Sequence, residues 1–456
     1  MTTTQDARIE PWLEHQLQCS AKAMLQSISP VSLIKHRPGF GQTMRPMPGA
    51  IIASPVLAAY DPDPDYFFHW FRDSAVVIDA LRLLYVDGRI GDEALQHLRD
   101  FTAFSLALNQ LDGRTDAAKP HRRDGVAPDF LQFIRDDAEL AQAHGDAVIA
   151  EARVNPDGTL DVSKWSRPQH DGPPLRALAV MRWAAATESV DEALATSLAE
   201  LIAFDLDFTL RHWREASHDI WEEESGHHYY TLRVSAAALA QGAAWFKAAG
   251  DAERAQRLSD EAQAVHSRLD AYGVEDTAGN DGTGGYFRSR PQVAGQESPK
   301  ALDIAVILSA IHAAGGEGGA HSAADPRMQA TLARLEALFD AAYPINRGRV
   351  ASRGPAMGRY AGDVYYSGGA YYFSTLGAAE FCFRAAAHGV DARHWFDRGD
   401  AYLATVRAYT PADGALSEQF DQASGVQTSA KQLAWSHAAF ISCVAARRAA
   451  LLQPMS

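Results

Sequence analysis

The sequence predicts an all-α protein with the architecture of an (α/α)6 toroid, in which six helical hairpins close into a ring and the long loops gather at one end. Three observations predict this fold. Apolar residues recur with helical spacing over twelve segments. Long loops alternate with short connections, and strand patterns are rare, with no strand–helix–strand units. A closed ring explains how one domain spans residues 1–456.

The candidate helices carry signals that start or stop a helix. Gly88, Gly250 and Gly389 each follow an apolar-periodic run, where glycine commonly ends a helix. Asp92 and Asp251 are placed to cap the helices that follow them. In chain order, the helices are predicted near residues 10–26, 73–87, 91–111, 174–188, 191–213, 229–249, 251–272, 300–314, 325–341, 367–388, 391–408 and 432–452.

The lengths of the loops predict how these helices pair. Segments before even-numbered helices are long and rich in Trp, Tyr, Arg, Asp, Gly and Pro, whereas connections before odd-numbered helices, such as 189–190, are short. The inner helices of the ring are therefore expected to form a central core. The longest interruption, about 114–172, exceeds the usual length of a structureless loop, so we expect it to be functional or to carry short elements.

Composition and charge exclude several classes of function. Hydrophobic residues make up 47% of the chain, enough for a large core, and the net charge is −15. This charge disfavours nucleic acid, anionic membranes and polyphosphates as partners, and it is compatible with a neutral substrate. The sequence has neither a helical His pair nor a nucleotide-binding motif in a suitable context, so we expect no metal and no other cofactor.

The sequence also bears on compartment and assembly. No apolar run is long enough to span a bilayer, and the first residues lack the pattern of a signal peptide. We therefore expect the chain as given to be cytoplasmic, or periplasmic or secreted if a leader has been removed. We also expect a monomer.

The segment Asp219–Gly226 combines a tryptophan with three consecutive glutamates. A carboxyl held among like charges and against an indole resists ionisation, as a general acid must, and Glu222 is the candidate. A second glutamate, Glu418, lies far downstream and is placed to activate water. A proton-loaded acid paired with an ionised base is the chemistry of glycoside hydrolysis. A glutamate run alone is more often a solvated face, but the flanking Trp221 favours a site.

Aromatic and charged residues recur in the other long loops. Aromatic rings offer apolar faces to a sugar, and an Arg–Asp pair offers a donor and an acceptor to its hydroxyls. The alternatives are structural, namely buried rings and an ordinary ion pair at a helix end. Together with Trp221, the substrate-binding candidates are Tyr66, Trp70, Arg72, Asp73, Trp165, Asp219, Glu223, Arg359, Gln419 and Trp435.

These motifs, in this order, resemble the catalytic domain of glycoside hydrolase family 15, the glucoamylases. Each motif is weak alone, but the ordered set is specific and covers nearly the whole chain. The resemblance implies the same (α/α)6 barrel that the loop alternation predicts. It rests on Gly49–Pro55, Asp65–Ser74, Asn155–Thr159, Trp165–Pro173, Asp219–Gly226, Gly358–Gly368, Ser417–Gln419 and Leu433–Ser436.

The resemblance implies a role for each matching residue. Glu222 matches the general acid and Glu418 the general base, while Arg72 and Asp73 match the residues that hold the terminal glucose. Tyr66 and Gln419 match groups beside the reacting carbon and the water, and the positions that match substrate-binding or acid-supporting groups are Trp165, Asp219, Glu223, Arg359 and Trp435.

The implied reaction releases β-glucose from the non-reducing ends of maltooligosaccharides and other α-glucans with inversion, which requires the two carboxyls to lie roughly 6.5–9.5 Å apart. Activity on α-1,6 linkages or on trehalose stays open within the family, as does a non-catalytic glucan sensor. A polysaccharide lyase is disfavoured, because an acidic cleft would repel uronates.

The sequence departs from the family pattern at two places. His69 stands where fungal members carry a small hydroxyl residue, and Ser367, Gly369, Ala370 and Tyr371 replace an Asn-, Pro- and Trp-containing run. These changes leave the catalytic pair intact and bear on leaving-group specificity. We expect neither the N-terminal β-domain of bacterial members nor a starch-binding module.

Overall fold

The computed structural model describes residues 6–59, 62–187, 190–275, 285–292, 298–315, 318–388 and 391–453. Contacts divide the chain into two compact units. The first unit comprises residues 25–226 and 238–259, and the second comprises residues 1–24, 227–237 and 260–456. Each unit is built from helices, and the strands within the described ranges are two or three residues long.

Seven helices lie in the described part of the first unit. Helix α2 (Phe71–Val86) packs against α3 (Glu93–Leu108) and α7 (Gly172–Ala186), and α8 (Glu192–His212) packs against the same two helices. A buried bidentate ion pair between Arg176 and Asp205 joins α7 to α8, and the indole N–H of Trp183 donates to the carbonyl of Ile78 at 2.7 Å. The helices are α2 Phe71–Val86, α3 Glu93–Leu108, α4 Gly113–Ala117, α5 Asp137–Leu140, α6 Asp146–Ile149, α7 Gly172–Ala186 and α8 Glu192–His212.

The second unit is built around helix α13, which packs against α11, α14 and α15. Two helices, α9 Tyr229–Ala248 and α10 Ala252–Leu269, are shared by the two units along the chain. The other helices are α1 Asp6–Leu25, α11 Ala305–His312, α12 Pro326–Ala342, α13 Tyr372–His388, α14 Ala392–Tyr409 and α15 Ala434–Leu451. The twelve predicted helices are thus all present.

Burial distinguishes two kinds of helix. In α7 and α13, nearly every described residue is buried, from Gly172 to Met181 and from Tyr372 to Phe383. In α3, by contrast, the buried residues form one stripe at three- and four-residue spacing. A helix that is apolar all round belongs in a core, whereas a striped helix has one face in water. Helices α7 and α13 are therefore core helices, whereas α3 lies at the surface.

Several predicted helix ends are confirmed. Gly88 and Gly250 have positive φ angles of 67° and 84°, which glycine adopts at low cost. The Asp251 carboxylate accepts the N–H of Arg254 at 3.0 Å, as a capping residue does. The predicted Asp92 cap is wrong, because that side chain makes no capping hydrogen bond. Gly389 lies outside the described residues.

Short antiparallel strand pairs stiffen the long loops. The pair β3 His69–Trp70 and β4 Arg153–Val154 leads into α2, and β5 Ser217–His218 pairs with β6 Ser225–Gly226. The others are β1 Lys35–Arg37 with β2 Gln42–Met44, β7 Gly273–Val274 with β8 Tyr286–Phe287, and β9 Gln419–Phe420 with β10 Gln427–Thr428. None of the helices in the described ranges is long and apolar enough to cross a membrane.

Candidate active site

The first unit holds Glu222 on a tight turn between β5 and β6. The Asp219 carboxylate accepts the backbone N–H groups of Glu223 at 2.8 Å and Glu224 at 3.1 Å, and the Asp219 carbonyl accepts the N–H of Glu222 at 2.9 Å. Glu222 has a φ angle of 63°, a left-handed conformation that is uncommon for a residue with a side chain. Asp219 therefore fixes the backbone that presents Glu222.

Two residues from other loops hold the Glu222 carboxylate. Nη2 of Arg72 lies 3.0 Å from its Oε1, and the indole N–H of Trp165 donates to its Oε2. The hydroxyl of Ser166 donates to the Glu222 carbonyl, so side chain and backbone are both fixed. The Glu222 side chain is only 9% exposed. The indole that contacts Glu222 is thus that of Trp165, and it does so as a hydrogen-bond donor.

The like charges expected around Glu222 come from a different source. Glu223 and Glu224 are exposed, so solvent screens their charge. Two buried aspartates instead share the Arg72 guanidinium with Glu222: Asp73 lies 3.2 Å from Nη2, and Asp171 lies 3.8 Å from Nη1. Three carboxyls thus surround one cation.

Burial controls the protonation of the two aspartates. It raises the pKa of Asp73 to about 6 against the opposing charge of Arg72, with Glu222 adding to the rise. Burial likewise raises the pKa of Asp171 to about 7, again against Arg72, while Glu222 and Asp73 push it further upward. The cluster therefore holds protons at weakly acidic pH. Asp171 lies inside the motif Trp165–Pro173, but it was not among the site residues predicted from the sequence.

The guanidinium of Arg153 packs against aromatic candidates of the first unit. Its guanidinium lies 3.5 Å from the ring centroid of Trp165 and 4.9 Å from that of Trp70. The half-buried ring of Tyr66 lies 5.1 Å from that of Trp70. An Asp161 carboxylate oxygen lies 2.9 Å from Nε of Arg153 and holds the cation in place. Arg153 was not predicted as a site residue, and it reaches this place because β4 pairs with β3.

Eight of the nine first-unit candidates are therefore joined by direct contacts or through Arg153. They are Tyr66, Trp70, Arg72, Asp73, Trp165, Asp219, Glu222 and Glu223. Trp221 is half-buried and Glu223 is exposed, both on the turn that carries Glu222.

The second unit places Glu418 beside Gln419 at the start of β9. The hydroxyl of Ser429 donates to Oε2 of Glu418, and the Glu418 backbone is fixed by hydrogen bonds to Ala430 at 2.7 Å and Tyr372 at 3.2 Å. The residue is 9% exposed. A hydroxyl that donates to a carboxylate stabilises its charged form.

A hydrogen-bonded chain links Gln419 to Arg359. The Gln419 amide donates to the Tyr371 hydroxyl at 2.7 Å, and that hydroxyl donates to Asp363 at 3.1 Å. Asp363 in turn receives Nε and Nη2 of Arg359 at 2.7 and 2.6 Å. The Ser367 hydroxyl donates to the side-chain amide oxygen of Gln419 at 2.9 Å. Contacts to the amide nitrogen and to the amide oxygen therefore both fix the orientation of this side chain.

Trp435 stands at the first turn of α15. Its ring stacks on Phe373 with centroids 4.4 Å apart and planes 7° from parallel. The neighbouring Ser436 hydroxyl donates to the Ser417 carbonyl at 2.8 Å, so the start of α15 supports the segment before Glu418. The second unit thus holds Arg359, Glu418, Gln419 and Trp435, and the supporting residues missed from sequence are Asp363 and Ser429.

Comparison with known proteins identifies a family. The model of the glycosyl hydrolases family 15 matches residues 36–118, 134–396 and 397–445. Glucoamylase 1 of Rhizopus oryzae is 25% identical over 98% of this chain and 72% of its own length. The glucoamylase of Neurospora crassa is 28% identical over 89% of this chain, which spans 64% of that relative.

Solved structures show the fold. The glucoamylase of Saccharomycopsis fibuligera matches with a TM-score of 0.76 and 22% identity, over 97% of this chain and 96% of that one. The family 15 glucoamylase of Hypocrea jecorina also matches with a TM-score of 0.76, at 23% identity over 98% of this chain and 73% of that one. The predicted (α/α)6 barrel is therefore confirmed.

Proposed function

The chain belongs to the glycosyl hydrolases family 15 and is a glucoamylase-like glycoside hydrolase, and we propose that it releases β-glucose from the non-reducing ends of maltooligosaccharides by an inverting mechanism. The observation that carries this proposal is the Glu222 cluster, in which one carboxylate is held by Arg72 and Trp165 beside the buried Asp73. This cluster combines groups that bind hydroxyls with a carboxyl placed to transfer a proton.

Glu222 is the proposed general acid. It must reach the glycosidic oxygen with a proton, and the protons held by the neighbouring Asp73 and Asp171 are a local supply at weakly acidic pH. When sugar hydroxyls bind Arg72 and Asp73, the guanidinium gains new partners. Arg72 then contacts both the bound sugar and the Glu222 carboxylate.

Glu418 is the proposed general base. Its carboxylate receives a hydrogen bond from the Ser429 hydroxyl. In this proposal Glu418 takes a proton from the attacking water. The remaining candidates serve substrate binding in this proposal, namely Tyr66, Trp70, Arg72, Asp73, Trp165, Asp219, Trp221, Glu223, Arg359, Gln419 and Trp435.

A substrate panel tests the proposal. Maltotriose, isomaltotriose and trehalose are offered separately, and the anomer released first is identified by proton NMR before mutarotation. We expect maltotriose to be cleaved fastest, with β-glucose as the first product. Faster cleavage of isomaltotriose or trehalose would replace the α-1,4 assignment, and α-glucose as the first product would overturn inversion. Binding of all three without cleavage would indicate a glucan sensor.

We further propose that residues 1–456 act as a single domain and as a monomer on a soluble α-glucan. A monomer of 49.5 kDa is the mass expected in light scattering coupled to gel filtration. A single cooperative unfolding transition, followed by both circular dichroism and tryptophan fluorescence, is expected for one domain. Two separated transitions would contradict it.

A further inference from the structure

Two histidines and a glutamate meet at the end of helix α8, in the first unit. His170, His212 and Glu215 each offer a ligand atom, and these atoms all lie within 4.8 Å of one another. His170 belongs to the loop that carries Trp165, while His212 is the last residue of α8 and Glu215 follows three residues later. The cluster therefore joins two segments that are distant in sequence.

The ring of His212 lies between two carboxylates. Its Nε2 lies 2.7 Å from the carboxylate of Asp146, and its Nδ1 lies 2.9 Å from the carboxylate of Glu215. A neutral imidazole has one N–H and therefore satisfies only one of these acceptors. In the neutral ring the other nitrogen then offers a lone pair beside a carboxylate oxygen, which are two atoms of the kind that bind a metal ion.

His170 supplies an independent observation. The residue is 5% exposed, and its buried Nδ1 makes no hydrogen bond with any group in the described ranges. A buried polar atom without a partner is costly, and a bound ion is one of the recognised reasons for such an atom. Its ring centroid lies 5.6 Å from that of His212.

We propose that His170, His212 and Glu215 form a binding site for a divalent transition-metal ion of the zinc type. Two imidazoles and a carboxylate are a ligand set that Zn²⁺ uses, with a water molecule in the remaining position. Asp146 on Nε2 of His212 is the outer carboxylate that commonly orients a metal-binding histidine. Tetrahedral ligands lie roughly 3.3 Å apart, and the 57% exposed side chain of Glu215 is free to close the remaining gap.

The ion would fasten the Trp165 loop to helix α8. Within that loop, Trp165 and Ser166 hold Glu222, and the Gln169 amide donates to the Asp219 carbonyl at 2.9 Å. A metal ion bound to His170 therefore restrains the segment that positions Glu222. The ion has a structural role in this proposal, and its binding does not depend on the proposed glucosidase activity.

Zinc titration of the full chain, stripped of metal with a chelator and dialysed, tests the site. We expect calorimetry to show one equivalent of Zn²⁺ bound with a Kd of about 1 μM or tighter, together with a rise in Tm. Mg²⁺ and Ca²⁺ should produce neither effect, because they prefer oxygen ligands. Absence of zinc binding by the wild-type chain would overturn the proposal and leave the proposed function untouched.

Two variants locate the ion. Glu215→Gln changes an exposed side chain, so it should fold normally and weaken zinc binding about tenfold or more, as should His212→Gln. Glu200→Gln removes the same charge from an exposed position of α8 and should bind zinc like the wild type. Unchanged zinc affinity in Glu215→Gln and His212→Gln would assign the binding to other histidines and contradict the site.

Discussion

The segments that present the two candidate catalytic glutamates are built in opposite ways. In the first unit, Glu222 is held by a cation and an indole, with the buried Asp73 and Asp171 around the same guanidinium. In the second unit, Glu418 is held by a neutral hydroxyl on a strand pair, and its neighbour Gln419 is neutral. The first environment gathers three carboxyls around one cation and holds protons on the two buried aspartates at weakly acidic pH, whereas in the second the Ser429 hydroxyl donates to the Glu418 carboxylate. The difference matches the acid and base roles proposed for the two residues.

The largest expected effect comes from removing either carboxyl. Glu222→Gln and Glu418→Gln should each lower kcat on maltotriose by about 10²–10⁴-fold, the usual contribution of an acid or base catalyst. Glu253→Gln, an exposed residue of the first unit, is the matched control and should keep wild-type activity.

An activated substrate separates the two roles. The leaving group of α-glucosyl fluoride departs without protonation, so it needs a base but no acid. Glu222→Gln should therefore retain most of the wild-type rate on this substrate, while Glu418→Gln should not. If Glu418→Gln kept its rate on this substrate and Glu222→Gln lost it, Glu418 would be the acid and Glu222 the base. That result would contradict the difference described between the two segments.

The next effect concerns stability and pH. The folded chain holds the Asp171 proton up to about pH 7, whereas an ordinary aspartate has a pKa of 3.8 and has lost its proton well below that pH. Raising the pH from 5 to 8 should therefore lower the free energy of unfolding, because the folded state binds the extra proton. In Asp171→Asn this loss should shrink by roughly 2–3 kcal/mol, as measured by urea unfolding. Asp92→Asn, an exposed control, should keep the wild-type slope, and an unchanged slope in Asp171→Asn would refute the buried-proton interpretation.

A smaller effect is expected at Trp165. Trp165→Phe removes the N–H that donates to Glu222 and keeps a ring over Arg153, so kcat should fall about 10–100-fold, the equivalent of losing a hydrogen bond to a charged group. KM should change much less. Trp245→Phe, a half-buried residue of α9, serves as the control. An equal fall in kcat for both variants would mean that the indole N–H is not used.

The smallest effect is expected at Ser429. Ser429→Ala removes the hydroxyl that donates to Glu418, but water can take its place, so kcat should fall only about 3–10-fold. Ser267→Ala, on the exposed face of α10, is the control. A fall as large as that of Trp165→Phe would show that the two glutamates depend equally on their donors, contrary to the difference between the two segments.

The helices were predictable because their signals are local. Apolar spacing and glycines such as Gly88 and Gly250 act over a few residues, and both are visible in the sequence. The partners within the site were less predictable, because they depend on which distant segments meet. Adjacency suggested Trp221 as the indole beside Glu222, whereas the structure uses Trp165, 57 positions away.

The same limit explains the other residues that were missed. Arg153 reaches Trp70 and Trp165 only because two strands pair, and Asp171 reaches Arg72 only because a loop folds back on α2. His170 and His212 have no spacing that would mark them as metal ligands. The positions of these residues in the sequence do not reveal their roles, because the roles depend on tertiary contacts that hydrophobic periodicity does not predict.

The left-handed backbone at Glu222 has a consequence for engineering this chain. Glycine and asparagine adopt that conformation more readily than glutamate, so the position stores a local strain of order 1 kcal/mol. A library of variants selected only for heat resistance would therefore favour replacement of Glu222. The selected variants would be more stable but would lack the proposed catalytic acid. Variants of this protein that are selected for thermal stability should therefore be assayed for turnover in every round of selection.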